Sequence, residues 1–328
     1  MEKVIVTGGA GYVGSVLVPM LLKDNYKVSV LDSMIHENNY NLMLNYVDGT
    51  PITRHPNFGI FKKGDVRNEG LVKELINNND SVIHLAAIVG APACDKYKDI
   101  AETTNLGGTR NIISNISKNQ KIIFASTGSN YGKIEGICDE NSPLNPLSLY
   151  GVTKTKAENM IVEKSGVAYR FATAFGLSPR LRTDLLINDF TNQLVNSKHL
   201  DVYECDARRT FVHVSDMAKA FIFGLENYDF LKGNSFNIGD DSMNATKGEA
   251  AEIIKNKIIE KFNFEPYLWM VKKGFKEGYV DPDQRDYEVS YKKINDAGFK
   301  VETSLNEGLD ELVDFFANFK MRNPFGNI

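Results

Sequence analysis

The sequence predicts an α/β protein, a doubly wound parallel sheet with a smaller C-terminal α/β domain. Three observations carry that expectation. Short β-branched runs alternate with helical periodicity through the first half of the chain. A glycine-rich turn, TGGAGYVG (residues 7–14), joins the first run to the first helix. An acid, Asp32, closes the second run. Together they describe a Rossmann-type dinucleotide domain.

The elements follow in order. KVIVT (3–7) is the first strand, with helical periodicity from about Gly11 to Lys23 after it. Pro19 interrupts that helix for no reason visible in the sequence. KVSVLD (27–32) is the second strand, and FGIFKKGD (58–65) the third, beyond a polar insertion at 36–56. LVKELINNND (71–80) is a helix and SVIHLAA (81–87) the fourth strand. A helix over about 98–118 leads to KIIFAST (121–127), the fifth strand. A helix holding Tyr150 runs to about Ser165, and VAYRFA (167–172) is the sixth strand. Right-handed crossovers put every strand's C-terminal end on one edge, where ligands bind. That edge should collect Gly8 to Gly14, Asp32, Asp65, the segment after Leu85, and Ser126 to Tyr131.

The cofactor domain is expected over 1–174, with 209–240 returning to it, because VHVSDMAKAFIFGLEN reads as its next helix. Residues 175–208 and 241–328 form the second domain, with helices near 183–196 and 246–262. Tyr267, Trp269 and Phe275 read first as core aromatics, and secondly as surfaces for stacking on a base.

The net charge of −4 and pI near 5.8 point away from nucleic acid and from a polybasic membrane surface. Residues 4–22 are uncharged over a membrane-spanning length, but four glycines and Pro19 argue for strand, turn and helix instead. A signal peptide's basic start and small-residue cleavage site are missing. Cys94, Cys138 and Cys205 have neither metal-ligand spacing nor a disulfide framework, and read as reduced thiols of a cytoplasmic protein. His84 and His213 read as structural.

The turn Gly8, Gly11, Tyr12, Val13, Gly14 lets the backbone approach a pyrophosphate at a helix N-terminus. Asp32 accepts hydrogen bonds from ribose hydroxyls and repels a 2′-phosphate, and no arginine follows it closely. NAD is therefore favoured over NADP. Asp65 and Val66 either meet the adenine, or Asp65 caps the next helix. The 36–56 insertion either touches substrate or covers the adenosine side.

Tyr150 and Lys154, in LYGVTK (149–154), share a helix face. A tyrosine titrates near pH 10, too high for a base at neutral pH. A lysine one turn away, with an oxidised nicotinamide, favours the phenolate and lowers that pKa. Beside a dinucleotide site, the spacing makes the pair a candidate acid–base couple for alcohol oxidation.

At this point the chain resembles the extended short-chain dehydrogenase/reductase superfamily of nucleotide-sugar epimerases and dehydratases. The likeness rests on TGGAGYVG, LD (31–32), GDV (64–66), HLAA (84–87), Asn105 with Gly108 and Thr109, STGSNYG (126–132), YGVTK, YRFATAFG (169–176) and RTFVHVSDMAKA (209–220). It implies Tyr150 as base, Lys154 as its partner on the nicotinamide ribose, and Thr127 on the reacting sugar hydroxyl. It places Leu85, Ala86, Ala87, Asn105 and Ser126 near the cofactor and Ser129 near the substrate. Arg209 matches an arginine that grips the nucleotide diphosphate. Arg285 resembles a second one, with a surface ion pair as the alternative. The resemblance also implies a nucleotide-diphosphate sugar as substrate, and a homodimer formed by the helix following Asp95 and the helix carrying Tyr150.

The related 4,6-dehydratases place an Asp-Glu pair after the catalytic Thr, and UDP-glucuronate decarboxylases a Glu at the second position. Here Gly128 and Ser129 occupy those places. The Cys and the His or Lys of GDP-fucose-type reductase-epimerases have no match there either. The expectation is thus oxidation at sugar C4: a 4-epimerase first, a 4-dehydrogenase as the alternative. Val89 stands where the UDP-galactose 4-epimerase pattern has lysine. The runs 87–97 and 177–194 are similar to a bacterial subgroup acting on polysaccharide-precursor sugars. A non-catalytic NAD sensor would typically lose the Tyr or the Lys, and this chain keeps both.

Overall fold

A computed structural model describes residues 1–134, 136–273, 288–319 and 326, and of 37 and 38 the backbone alone. Its centre is a seven-stranded sheet. We number these strands β1 (Lys3–Thr7), β2 (Lys27–Asp32), β3 (Phe58–Lys63), β4 (Ser81–His84), β5 (Lys121–Thr127), β6 (Val167–Phe171) and β7 (Asn234–Ile238). They lie in the order β7-β6-β5-β4-β1-β2-β3, and every pairing is parallel. The order reverses between β1 and β4, so a crevice opens at their C-terminal ends.

Period-2 alternation divides the strands between two apolar layers. Val4 and Val6 of β1 face one layer with Leu17 and Leu21 of helix α1 (Gly14–Lys23). The same layer holds Phe221 and Leu225 of a helix at Val214–Glu226, which packs beside α1. Ile5 faces the other layer, with Val72 and Ile76 of α2 (Glu69–Asn77) and Ile161 from the helix Leu149–Glu163. Burial on both faces explains why these strands read as continuous β-branched runs.

The second lobe has its own core, with Phe175, Ile187, Phe211, Ile254 and Leu312 fully buried. It carries a three-stranded sheet of Thr173–Phe175, Arg208–His213 and Asn244–Thr246. His199–Tyr203 and Tyr267–Val271 form a separate parallel pair. There the expectation of core aromatics fails: Tyr267 and Trp269 are 59% and 50% exposed. Alternation is the reason, since Leu268 and Met270 turn inward and pack on the lobe's core. Phe275 lies outside the described residues.

Two other expectations shift. The helix over 98–118 runs without a gap from Lys98 to Asn115, with a π-turn at Thr103–Gly108 between its α-helical ends. Gly108 packs so closely on Val66 that an added Cβ would lie 2.5 Å from its side chain. The 36–56 insertion packs beside the glycine turn: Leu42, Val47 and Ile52 join the core beside α1, and the Asn39 amide donates to the Ala10 carbonyl at 2.7 Å.

Gly8 leaves β1 at φ +73°, and a Cβ there would stand 2.7 Å from the Ala86 backbone nitrogen. Gly8→Ala is expected to destabilise the fold by more than about 1 kcal/mol and to weaken NAD binding. Thermal melts with and without NAD check both.

Candidate active site

A cavity of about 840 Å³ opens over the C-terminal edge of the sheet, between it and the second lobe. The glycine turn forms one wall, with Gly8, Gly11, Tyr12, Val13 and Gly14 all on it. The Gly8 N–H donates to the Leu31 carbonyl at 2.7 Å, and the Gly11 N–H to the Gly8 carbonyl at 3.0 Å. Helix α1 then begins with no side-chain cap and no acid in its first turn. Its positive end stays available to an anion. The Tyr12 hydroxyl turns away and donates to the Gly176 carbonyl at 2.7 Å, tying the turn to the second lobe.

Asp32 lies at the end of β2, 7% exposed, and lines the same cavity. Its Oδ2 accepts the Ala10 N–H at 3.0 Å and its Oδ1 the Met34 N–H at 2.8 Å. Burial raises its pKa, and those two bonds oppose the rise. Each oxygen keeps a lone pair for a ribose hydroxyl. The uncapped helix end and this carboxylate fit a dinucleotide. Val66, Leu85, Ala86 and Ala87 line the crevice at the switch point. Asp65 also lines it, held by Arg67, whose Nη2 lies 2.6 Å from Oδ2. Asn68, not Asp65, caps α2, accepting the Leu71 N–H at 3.1 Å.

Asn105 sits behind the wall rather than on it. Its amide accepts from the Ile88 N–H at 2.8 Å and donates to the Ile88 carbonyl and the Thr153 hydroxyl, both at 3.1 Å. It thereby fixes the segment after β4 against the helix carrying Tyr150.

That helix, α6 in chain order after the pieces at 91–96, 98–102 and 109–115, spans Leu149–Glu163. Ser148 caps it, accepting the Gly151 N–H at 3.1 Å. Tyr150 and Lys154 both line the cavity, Tyr150 half-buried and Lys154 buried. The Lys154 ammonium stands 3.9 Å from the centre of the Phe124 ring. Burial pushes its pKa down to about 7, with Glu158 and the Cys94 thiol opposing. Thr127 ends β5 and lines the cavity beside Ser129; its Oγ1 accepts the Ser129 N–H at 3.2 Å. Ser126 lines the cavity too, but its hydroxyl donates to Glu158 at 2.5 Å.

Arg209 reaches the cavity from the second lobe, 6% exposed. Arg285 lies outside the described residues. Sequence reasoning did not single out Arg180, Arg182, Asp184, Asp189 and Lys247, which also line the cavity. Arg182 pairs with Asp184 at 2.6 Å. The signal for Arg180, Arg182 and Asp184 was the charged run PRLRTD (179–184), whereas Asp189 and Lys247 had none. His84 is a structural residue, wedged between the hydroxyls of Thr7 (2.7 Å) and Thr109 (3.0 Å). Burial pushes its pKa down to about 3. His213 bonds Ser215 at 2.7 Å and Glu311 at 3.1 Å. Among the described residues, the three cysteines are free and no cluster of metal-ligand side chains occurs. No described helix is long and apolar enough to cross a membrane.

Residues 4–239 match the NAD dependent epimerase/dehydratase family. A putative UDP-glucose 4-epimerase of Methanocaldococcus jannaschii is 29% identical, over 96% of this chain and 98% of its own length. UDP-glucuronic acid decarboxylase 1 of Danio rerio is 25% identical, over 96% of this chain and 73% of its own. The structure of UDP-glucuronic acid 4-epimerase from Bacillus cereus, with UDP-glucuronic acid and NAD, superposes with a TM-score of 0.81 at 24% identity, covering 96% of this chain and 99% of that one. The chain belongs to the NAD-dependent epimerase/dehydratase family and is an NAD-dependent enzyme.

Proposed function

We propose that the enzyme is a nucleotide-sugar 4-epimerase, acting on a sugar linked to a nucleoside diphosphate. One observation carries the reading: Thr127, Tyr150 and Lys154 line the same cavity as the glycine turn and Asp32, and Gly128 and Ser129 follow Thr127 in place of carboxylates. The UDP sugars named for its relatives support the substrate class.

Bound NAD, held by the glycine turn, Asp32 and the Leu85–Ala87 segment, supplies the hydride acceptor and, later, the hydride donor. Thr127 hydrogen-bonds the C4 hydroxyl and orients it. Tyr150, as phenolate, takes the hydroxyl proton, and the charge on Lys154 stabilises that phenolate. The keto sugar turns over within the cavity, and Tyr150 returns the proton to the C4 oxygen. Arg209 offers the planar fork suited to a diphosphate, and Arg285 is proposed beside it on sequence grounds alone. The carboxylates that do line the cavity come from other elements, and Asp184 is engaged by Arg182.

A 4-dehydrogenase is the second reading. Val89 lines the cavity where UDP-galactose 4-epimerases carry lysine, which favours it. Both readings share the proton step at Tyr150.

Purified protein with NAD, offered UDP, GDP, dTDP and CDP sugars, is expected to invert C4 by NMR without net NADH absorbance. Stoichiometric NADH and a 4-keto sugar would establish the dehydrogenase instead. Tyr150→Phe is expected to lower the rate about 10²–10⁴-fold with little change in NAD affinity. Asp32→Ala is expected to weaken NAD binding and to narrow the preference over NADP, measured as two dissociation constants.

A further inference from the structure

Arg180 is a buried cation on the cavity wall with hydrogen-bonding capacity left over. It is 1% exposed and lines the cavity shared by the glycine turn and Asp32. Its Nη2 donates to the Gly326 carbonyl at 3.0 Å. Its Nε is buried and has no partner among the described residues. The carboxylate of its own segment, Asp184, is taken by Arg182, through Nε at 3.0 Å and Nη2 at 2.6 Å. A buried donor without an acceptor is costly, and such groups ordinarily find one. Burial pushes the guanidinium down to about 10, which leaves it charged at neutral pH.

The neighbouring bonds fix where that charge is held. The segment 176–180 is laced to the glycine turn and to the first turn of α1. The Tyr12 hydroxyl donates to the Gly176 carbonyl at 2.7 Å, and the Ser178 hydroxyl to the Tyr12 carbonyl at 2.7 Å. Ser178 also meets the Ser15 hydroxyl at 3.0 Å, and the Arg180 N–H donates to that same Ser15 oxygen at 3.3 Å. From the 36–56 insertion, the Asn41 amide donates to the Pro179 carbonyl at 2.7 Å. Arg180 is therefore held at the uncapped N-terminal end of α1.

A dinucleotide brings negative charge on both of its phosphates. The glycine turn meets them with backbone N–H groups and a helix end, and the first turn of α1, GSVL, brings no cation. Other cations on the cavity wall are engaged: Arg67 on Asp65, Arg182 on Asp184 and Lys247 on Glu204. Lys154 stands beside Tyr150 on α6, away from the turn. We propose that Arg180 is a cofactor-binding residue whose guanidinium donates to the diphosphate of NAD. A planar guanidinium suits phosphate oxygens, and the diphosphate supplies the acceptor that Nε lacks. The inference deepens the NAD site and rests on it, and it does not depend on the 4-epimerase reading.

The test reads binding, without any sugar. The full chain is titrated calorimetrically with NAD, with ADP-ribose, which keeps the diphosphate and lacks nicotinamide, and with adenosine, which has no phosphate. Arg180→Met is expected to weaken NAD and ADP-ribose about 10–100-fold, the loss of a hydrogen bond to a charged group, with adenosine unchanged. Arg180→Lys keeps the charge without the fork and should lose less. If Arg180→Met does not fold, wild-type protein with ¹⁵N-labelled arginine decides. Its Arg180 Nε–H signal, identified by its loss in Arg180→Lys, should move with ADP-ribose and stay with adenosine. Unchanged NAD and ADP-ribose affinity in folded Arg180→Met, or an unmoved signal, overturns the proposal. An equal loss for adenosine also overturns it, since the residue would then shape the whole site. So does weaker UDP binding to NAD-loaded protein with NAD affinity intact, which would put Arg180 on the substrate's diphosphate. If no nucleotide sugar reacts, the 4-epimerase reading fails, while these titrations still decide the role of Arg180.

Discussion

The reversal of strand order between β1 and β4 is the constraint on which the rest depends. At that point two neighbouring strands send their connections to opposite faces, and nothing covers the gap between them. The backbone secures both sides: the Gly8 N–H donates to Leu31 across β2, and the Leu85 N–H to Thr7 across β4. The glycine turn, the Asp32 carboxylate and the Leu85–Ala87 segment reach the cavity because their strands end there together. The second lobe is tied to the same place through Tyr12 on Gly176 and through Ser15 on Ser178, 3.0 Å apart.

Electrostatics then decides what the crevice can do. A lysine buried beside an aromatic ring gains about 0.5–2 kcal/mol from the cation–π contact. Full desolvation of an ammonium outweighs that, so its pKa falls to about 7. A cation poised near neutrality is a sensitive partner for a tyrosine base, because modest changes in nearby charge switch it. The buried Glu158–Arg170 pair, 2.6 Å apart, does not line the cavity. Such a pair adds little stability by itself, but breaking one half of it is costly. Its value here lies in orientation, since it joins α6 to β6 and to the end of β5.

Much of this was legible in the sequence, for physical reasons. Strands buried on both faces are short, β-branched and uninterrupted, so 3–7, 27–32 and 121–127 coincide with β1, β2 and β5. Helix starts were less legible: α1 begins at Gly14 and not near Gly11, because the glycine turn occupies the residues between. The strand expected over 81–87 ends at His84, where the chain leaves the sheet for the crevice. The helix over 98–118 carries a π-turn that ends at Gly108, where it packs on Val66, a contact distant in sequence. Trp269 misled because an aromatic in a short strand has two faces open to it. Glu158 escaped notice for a similar reason. In TKTKAEN a carboxylate among lysines reads as a solvated helix face, and only packing against β6 and β7 reveals it as buried. The functional motifs were visible as types and spacings, whereas the second lobe's contribution to the cavity depends on how the chain returns.

The central claim is that hydrogen leaves C4 of the sugar and comes back to the same carbon from the other side, with Tyr150 handling the proton. UDP-glucose and UDP-glucuronic acid deuterated at C4 test it most directly. The account predicts a C4-inverted product that retains its deuterium at C4, in ordinary water, with no NADH released. Inversion with deuterium lost to solvent would contradict it, as would inversion at a carbon other than C4.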